Sequence, residues 1–416
     1  MILCKHIPIQ FSFPEINASG MKIVLEYAYT GSIKEESLTK DNIVEAFYAA
    51  DYFQLTDLQD FIVKTAENIL DKDDLENYSP DLLSKVADIM PLSDGNIFHN
   101  LLFERVAATP LNTIEFGRLS IAALQHLLSC THGKEMPFAT PEYEVFRYST
   151  ILAAKQVSND AYKTLIERLP TIEQLDNSAQ VENKCIADHQ KVAKELEPLV
   201  QFIDFKRIKG QILNDVICPL EIIPAEIISN VYCQKGSNNA DSNEFRGIPI
   251  FKLNESDGLV WDESACGSKL IIEDNGKVVQ SSYGLHQNVR AKIVLDKKGI
   301  FEWDVTIEKT CAWTWIGVCA SENFNYEEFA GNQNTGWVLG SNGICRHNQY
   351  GDPSSILSYC PPFDEDGSKI TVHLDMNKRF TVNGIKYPEV SGWDDLPSKT
   401  LSSNIITSSW SFLNSV

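Results

Sequence analysis

Residues 24–33 read VLEYAYTGSI, an apolar, tyrosine-rich stretch that stops abruptly at Thr30 and Gly31 within the first tenth of the chain. Either it is an ordinary helix end or it is the back half of a larger module. The next thirty residues or so are helical in period. Ile43, Val44, Phe47, Ala50 and Phe53 recur at three- and four-residue spacings, which lays them along one face, and Leu58, Phe61, Ile62, Ala66 and Ile69 repeat the pattern after a break. Two amphipathic helices are therefore predicted across 41–70. The second opens on TDLQ, where Thr56 can cap an orphan backbone N–H and Gln59 can reach back in a capping box.

Helical signatures continue to about residue 235. YSPDLL puts Ser79 at a cap position with Pro80 at the first helical residue, where its missing N–H costs nothing, and ATPEYEVF repeats the device with Thr140 and Pro141. Ser120 before IAALQHLLS starts a further helix, and residues 181–200 form another that closes near Pro198. The charged run in that last helix reads as a solvated face. Residues 234–247, QKGSNNADSNEFRG, are polar and without periodicity and read as a linker or mobile loop.

Beyond the linker the period shortens. KLIIEDNGKVVQ, IFEWDVTI, WTWIGVCA, GWVLGSNGI and KITVHLDMNKRFTVNGIKY are short apolar or alternating runs, and Asn275-Gly276, Asn342-Gly343 and Asn383-Gly384 sit between them. Asn-Gly pairs favour the left-handed dihedrals that tight hairpins require, so an antiparallel β-sandwich is predicted here. The expected fold class is thus multidomain, with an α-helical N-terminal two-thirds and an all-β C-terminal region.

At 416 residues and 43% hydrophobic content, the chain can bury two or three cores. Its formal charge of -21 disfavours phosphate backbones and anionic membranes, which select clustered Lys and Arg, so no nucleic-acid or membrane partner is expected. The ten cysteines show no C-x-x-C pair and no zinc-type spacing, which leaves reduced thiols as the reading and no metal. The first residues lack a signal-peptide apolar region, and no stretch approaches the ~20 apolar residues of a membrane helix. A cytoplasmic or nuclear location is expected.

The opening stretch then finds its context. FSFPEINASGMKIVLEYAYTGSI, followed by LTKDNIVEAFYAADYFQLTDLQDFIVKTAENIL, resembles the second half of a BTB (POZ) domain. The resemblance rests on Tyr27, Tyr29, Thr30, Gly31, Asn42, Ala49, Ala50, Leu55 and Leu58. Nothing upstream of Ile7 supplies the front half, which in dimeric members forms much of the interface, so at most a weak homodimer is implied. The helical middle resembles a BACK domain through GRLSIAALQHLLSC and through Glu142, Val145 and Phe146.

Residues from roughly 256 to 398 resemble a SPRY domain. Four blocks occur in the family's order: Gly299, Phe301, Trp303, Asp304, Val305; Trp315, Ile316, Gly317, Val318; Gly336, Trp337; and Leu374, Asp375, Phe380, Asn383, Gly384. The departure is SKTLSSNIITSSWSFLNSV, a serine-rich tail where a last strand is expected, so that strand is read as lost or as wrongly encoded in the sequence. The domain reading is a partial BTB domain at 1–72, a BACK-like array at 73–235, a linker at 236–255, a SPRY-like sandwich at 256–400 and a divergent tail at 401–416.

Catalytic and cofactor chemistry find no foothold. Cys345 and His347 lack a third orienting group, Asp394 and Asp395 and residues 364–367 read as loop and turn, and no phosphate-binding glycine string exists. Trp303 and Trp315 read as core. Trp313, Tyr350 and Tyr359 read as exposed loop aromatics suited to gripping a peptide, because they offer contact area with few rotors.

By resemblance, this arrangement is that of non-catalytic substrate adaptors of cullin-RING ubiquitin ligases. The BTB side, at Tyr29, Thr30, Gly31 and Asn42, would engage a cullin scaffold protein. The sandwich would hold a protein or peptide target. The alternative is a ubiquitin-independent scaffold or regulatory peptide-binding protein.

Overall fold

The computed structural model describes residues 13, 15–72, 77–90, 96–134, 136–176, 188–234, 244–253, 259–281, 287–295, 299–309, 313–320, 324–348, 356–374, 379–382, 385–387, 390, 401–408 and 412–415. The chain divides into two compact units, Met1–Gly247 and Ile248–Val416.

The first unit is helical: α1 (Ala18–Thr30), α2 (Ile43–Tyr52), α3 (Thr56–Lys72), α4 (Ser79–Ile89), α5 (Ile97–Ala107), α6 (Ile121–Thr131), α7 (Glu142–Val157), α8 (Asn159–Arg168), α9 (Ile172–Asp176), α10 (His189–Val200), α11 (Gly210–Ile212) and α12 (Ala225–Gln234), with a two-residue strand β1 (Pro137–Phe138) before α7. Asn17 starts α1 by accepting the Ser19 N–H at 3.0 Å. Gly31 ends it in the left-handed region, φ 73°, with its N–H on the Tyr27 carbonyl at 2.8 Å. The helix packs on α2 at Gly20, where an added Cβ would stand 2.3 Å from the Glu45 carbonyl oxygen. Only glycine permits that approach. Ile23 and Val24 of α1, Val44 and Phe47 of α2 and Leu58 and Ile62 of α3 are buried, and Phe47 stacks on Phe98 of α5 at 4.8 Å.

At the centre of the array lies α7. Every residue from 142 to 154 is buried, so it is enclosed on all sides instead of having one solvent face. That enclosure takes charged groups inside with the backbone. Glu144 accepts the Ile172 N–H at 2.8 Å, Arg147 donates to the Leu169 carbonyl at 2.7 Å, and burial pushes the Glu144 carboxyl up from its ordinary value.

Several predicted caps differ from the structure. Ser120 does cap α6, accepting the Ala123 N–H at 3.2 Å. Thr140, however, accepts the Leu111 N–H at 2.9 Å, and Pro141 holds the cap position of α7. Ser79 lies inside α4, and Asn77 accepts its N–H at 3.1 Å. Gln59 donates to Asp51 at 3.2 Å instead of closing a capping box. Thr140 and Gln59 took partners outside their own helix ends, which the local pattern could not reveal.

Within the segment read as a linker, residues 244–247 are held against the helical unit. Glu244 and Phe245 pair with the backbone of Arg207, Glu142 and Pro141, and Arg246 is buried.

The second unit contains β2 (Ile248–Lys252), β3 (Trp261–Cys266), β4 (Leu270–Glu273), β5 (Val278–Ser281), β6 (Gln287–Leu295), β7 (Ile300–Lys309), β8 (Trp313–Ala320), β9 (Gly336–Gly340), β10 (Ile344–His347), β11 (Ile356–Ser358), β12 (Ser368–Leu374), β13 (Arg379–Val382), β14 (Ile385–Lys386), β15 (Leu401–Ser408) and β16 (Phe412–Ser415). One sheet runs β14-β13-β12-β7-β16-β5-β4, with β2 parallel to β7, and the other runs β11-β10-β9-β8-β15-β6-β3. The turn between β4 and β5 passes through three left-handed residues, Asp274, Asn275 and Gly276 (φ 48°, 56° and 91°), as the Asn-Gly pair predicts.

The serine-rich tail is the main correction. Leu401–Ser408 pairs with Ala320–Trp313 of β8 and, across a register shift between Ser402 and Asn404, with β6; β16 lies between β7 and β5. The last strand is therefore present, and the segment supplies an interior strand to each sheet. A polar run accepts this because two flanking ladders satisfy its backbone, whatever its intrinsic strand preference.

Strand alternation separates two clusters. Val305, Ile370, Ile316, Val318 and Leu339 belong to one core together with Trp303. Trp315, Cys319 and Val338, on the opposite face of their sheet, pack instead with Phe324 and Phe329 from the loop after β8.

Candidate functional site

The segment around α1 and the turn after it presents one exposed aromatic. Tyr29 is 87% exposed, and Leu25, four residues earlier on the same helix face, is 46% exposed. Neighbouring polar groups hold the turn. The Thr30 hydroxyl lies 2.7 Å from the Glu26 carbonyl, and its oxygen accepts the Ser32 N–H at 3.3 Å. Asn42 clamps the loop from its far end, accepting the Thr39 N–H at 2.8 Å and donating to the Ser37 carbonyl at 2.9 Å. Of the four positions expected to face a partner, Thr30, Gly31 and Asn42 thus shape the turn, while Tyr29 leaves its ring exposed. Burial of a tyrosine ring at a partner surface is worth far more than that of its polar neighbours.

On the sandwich the expected aromatics separate. Trp313 is the first residue of β8, opposite Ser408. Tyr350 lies outside the described residues. Tyr359, expected as an exposed loop residue, is half-buried: its N–H donates to the Gly343 carbonyl at 2.8 Å, and its ring lies 5.6 Å from Tyr387, against the sandwich core. Gly343 causes this, because at φ 77° it lets Cys360 approach so closely that an added Cβ would meet the Cys360 carbonyl at 1.9 Å.

A second, buried cluster that sequence reading passed over surrounds Trp315. The Arg346 guanidinium sits 5.1 Å from the Trp315 ring and 5.7 Å from Phe329, and burial pushes its pKa down. Asn288 and Gln333 tie down the covering loop, each donating to backbone carbonyls of Asn325 or Glu328. Phe324, Tyr326 and Phe329 were its only local signal, and their spacing matches no strand or helix period.

The discounted pair behaves as core. The His347 ring stacks on Trp337 at 4.5 Å and 10° and donates from Nδ1 to the Gly336 carbonyl at 2.9 Å. Cys345 is fully buried, and burial pushes its thiol well up, the wrong direction for a nucleophile. Asp394 and Asp395 lie outside the described residues. Among the described residues, six cysteines are free, no group of three or more His, Cys, Asp or Glu side chains could hold a metal ion, and no helix is long and apolar enough to cross a membrane.

No curated protein matches the chain. Solved structures similar to it over the C-terminal part include the SPRY domain of human HERC1, at 18% identity and a TM-score of 0.31, covering 37% of this chain and 95% of that one. The TRIM65 PSpry domain is similar at 14% identity and a TM-score of 0.30, covering 40% of this chain and 90% of that one. Residues 4–70, which include Tyr29 and its turn, match the BTB/POZ domain family.

Proposed function

We propose that the chain is a non-catalytic adaptor that binds a cullin scaffold of a RING ubiquitin ligase through the α1 to α3 surface and a target protein through its β-sandwich. The observation that carries the reading is Tyr29, 87% exposed inside the segment that matches the BTB/POZ family. An adaptor needs no chemistry of its own. It raises the effective concentration of a target near the ubiquitin-charged enzyme, so two binding surfaces suffice. The proposed setting is the cytoplasm or nucleus, in keeping with the free thiols.

The test is capture of purified cullin N-terminal regions by the full chain, alongside Tyr29→Ala and Leu25→Asp. The wild type should bind at micromolar concentration, and loss of the aromatic anchor should weaken binding about thirtyfold, the scale of a ~2 kcal/mol hot spot. No capture by the wild type at that concentration overturns the ligase role and leaves a ubiquitin-independent scaffold.

A further inference from the structure

The Asn-Gly pairs of the second unit stand in unlike surroundings. Asn275-Gly276 forms the tip between β4 and β5, where Asn275 is exposed. Asn342-Gly343 turns β9 into β10 and is held: the Asn342 carboxamide oxygen accepts the Ile344 N–H at 3.3 Å, and the Gly343 N–H donates to the Gly340 carbonyl at 2.8 Å. Asn383-Gly384 lies outside the described residues.

An asparagine followed by glycine can react with its own main chain. The glycine nitrogen attacks the side-chain carbonyl carbon, a C–N bond forms, the C–NH2 bond breaks, and ammonia leaves with the proton of the attacking amide. Water then opens the five-membered imide at either carbonyl, giving aspartate or isoaspartate, whose main chain runs through the former side chain. Glycine favours the attack because it carries no Cβ to obstruct it. Asparagine is thermolabile for this kind of reason.

In the closed turn Asn275 stands at φ 56° and ψ 32°, which points the Gly276 nitrogen away from the side chain. The reaction therefore waits on local opening, and the two turns resist opening unequally. β4 ends its sheet and is laddered to β5 from Leu270↔Ser281 to Glu273↔Val278. By contrast, β9 and β10 pair with each other and also with β8 and β11. Asp274 and Asn275 are also both left-handed without being glycine, which weakens the closed form further.

We propose that Asn275 is a site of spontaneous deamidation to aspartate and isoaspartate, and that the isoaspartyl form loosens the corner around Trp261. Trp261 is buried and donates from Nε1 to the Lys277 carbonyl at 3.1 Å. Gly276 lies against it, since an added Cβ would stand 3.2 Å from the Trp261 carbonyl oxygen. Isoaspartate adds one carbon to the main chain two residues before Lys277. It also sets a new carboxylate beside exposed Glu273 and Asp274, where like charges repel.

The test holds the full chain at about 37 °C and neutral pH for about four weeks, long enough for a thermolabile asparagine to react. Tryptic peptides 270–277 and 310–346 are then compared with a zero-time sample by mass spectrometry. A gain of about 1 Da marks each converted asparagine, and labelling by protein isoaspartyl methyltransferase marks isoaspartate. Conversion at Asn275 should exceed that at Asn342 at least about tenfold, because Asn342-Gly343 must first give up two hydrogen bonds. It should run faster at pH 8 than at pH 7, since the attacking amide must lose its proton. Asn275→Gly, which suits a left-handed turn, should abolish labelling of peptide 270–277 without lowering the thermal unfolding temperature. The converted fraction, separated by anion exchange, should show red-shifted tryptophan emission. No conversion at Asn275, or equal conversion at Asn342, would overturn the site, and native emission of the converted fraction would overturn its effect on Trp261. None of these outcomes depends on whether a cullin binds the α1 surface.

Discussion

Arg246 grips Glu142 with Nη2 2.5 Å from Oε1 and Nε 3.1 Å from Oε2, a bidentate pair with side chains 4% and 0% exposed that joins positions 104 residues apart. Its remaining donors reach the Leu128 and Phe202 carbonyls and the Thr131 hydroxyl, and its face lies 5.4 Å from the Phe138 ring. Two charges can stay this deep because the guanidinium N–H groups and both carboxylate oxygens of the pair are engaged.

Removing one partner should therefore cost far more than the pair itself is worth. Arg246→Met leaves the Glu142 carboxylate buried without its counter-charge and is expected to destabilise the helical unit by about 3–5 kcal/mol. Adding Glu142→Gln should recover part of that loss. Urea unfolding followed by hydrogen exchange of residues 202–208 gives both values; a single variant as stable as the wild type would refute the clamp.

Gly20→Val tests the α1 contact. With the Glu45 carbonyl 2.3 Å from where Cβ would stand, the helix must move away from α2. A loss of at least about 1–3 kcal/mol is expected, with faster amide exchange along Ala18–Thr30. Unchanged exchange there would show that α1 tolerates the side chain and that the close approach is not needed.

In the sandwich, Gly317 lies opposite Val338, and an added Cβ would meet the Trp337 carbonyl at 1.9 Å. Gly317→Ala should break the β8–β9 ladder at a cost of at least about 3 kcal/mol. All seven tryptophans lie beyond residue 248, so their emission reports this unit alone. The expected result is red-shifted emission with helical circular dichroism retained; native emission would contradict it.

Alkaline pH should weaken the same unit. Burial pushes the Cys319 thiol up to about 12 and those of Cys266 and Cys360 up to about 11, while an unfolded cysteine titrates near ~8.5. A folded pKa above the unfolded one means the stabilisation is complete below pH ~8.5 and is lost as pH rises towards the folded values. The urea midpoint of tryptophan emission is expected to be level between pH 7 and 8 and to fall from pH 9 upward. A midpoint constant to pH 10 would show that these thiols do not resist ionisation.

Much of this molecule was legible as period and punctuation. Ile43, Val44, Phe47 and Ala50 mark the buried face of α2, and Asn275-Gly276 marks a hairpin, because each depends on neighbours within a few residues. The same reading assigned Thr140 and Ser79 to caps they do not make and left Tyr359 in the open. For Thr140 and Tyr359 the deciding partner, Leu111 or Gly343, lay on another segment, whereas at Ser79 the neighbouring Asn77 took the cap. Tyr29 was singled out because the turn beside it resembles a family motif, whereas a cleft beside Lys206 joins residues from three separate stretches and has no local signature.

The order of residues by itself determined where helices give way to strands, which faces are apolar, and that the chain is acidic overall. Tertiary structure alone decided that Leu401–Ser408 fills an interior position between β8 and β6, and that Glu142 and Arg246 are ionic partners. The reason is physical: helix and strand periods arise from backbone geometry repeated every few residues. Ladder partners and buried counter-charges depend on which distant segments meet, and the free energy of that meeting belongs to the assembled core.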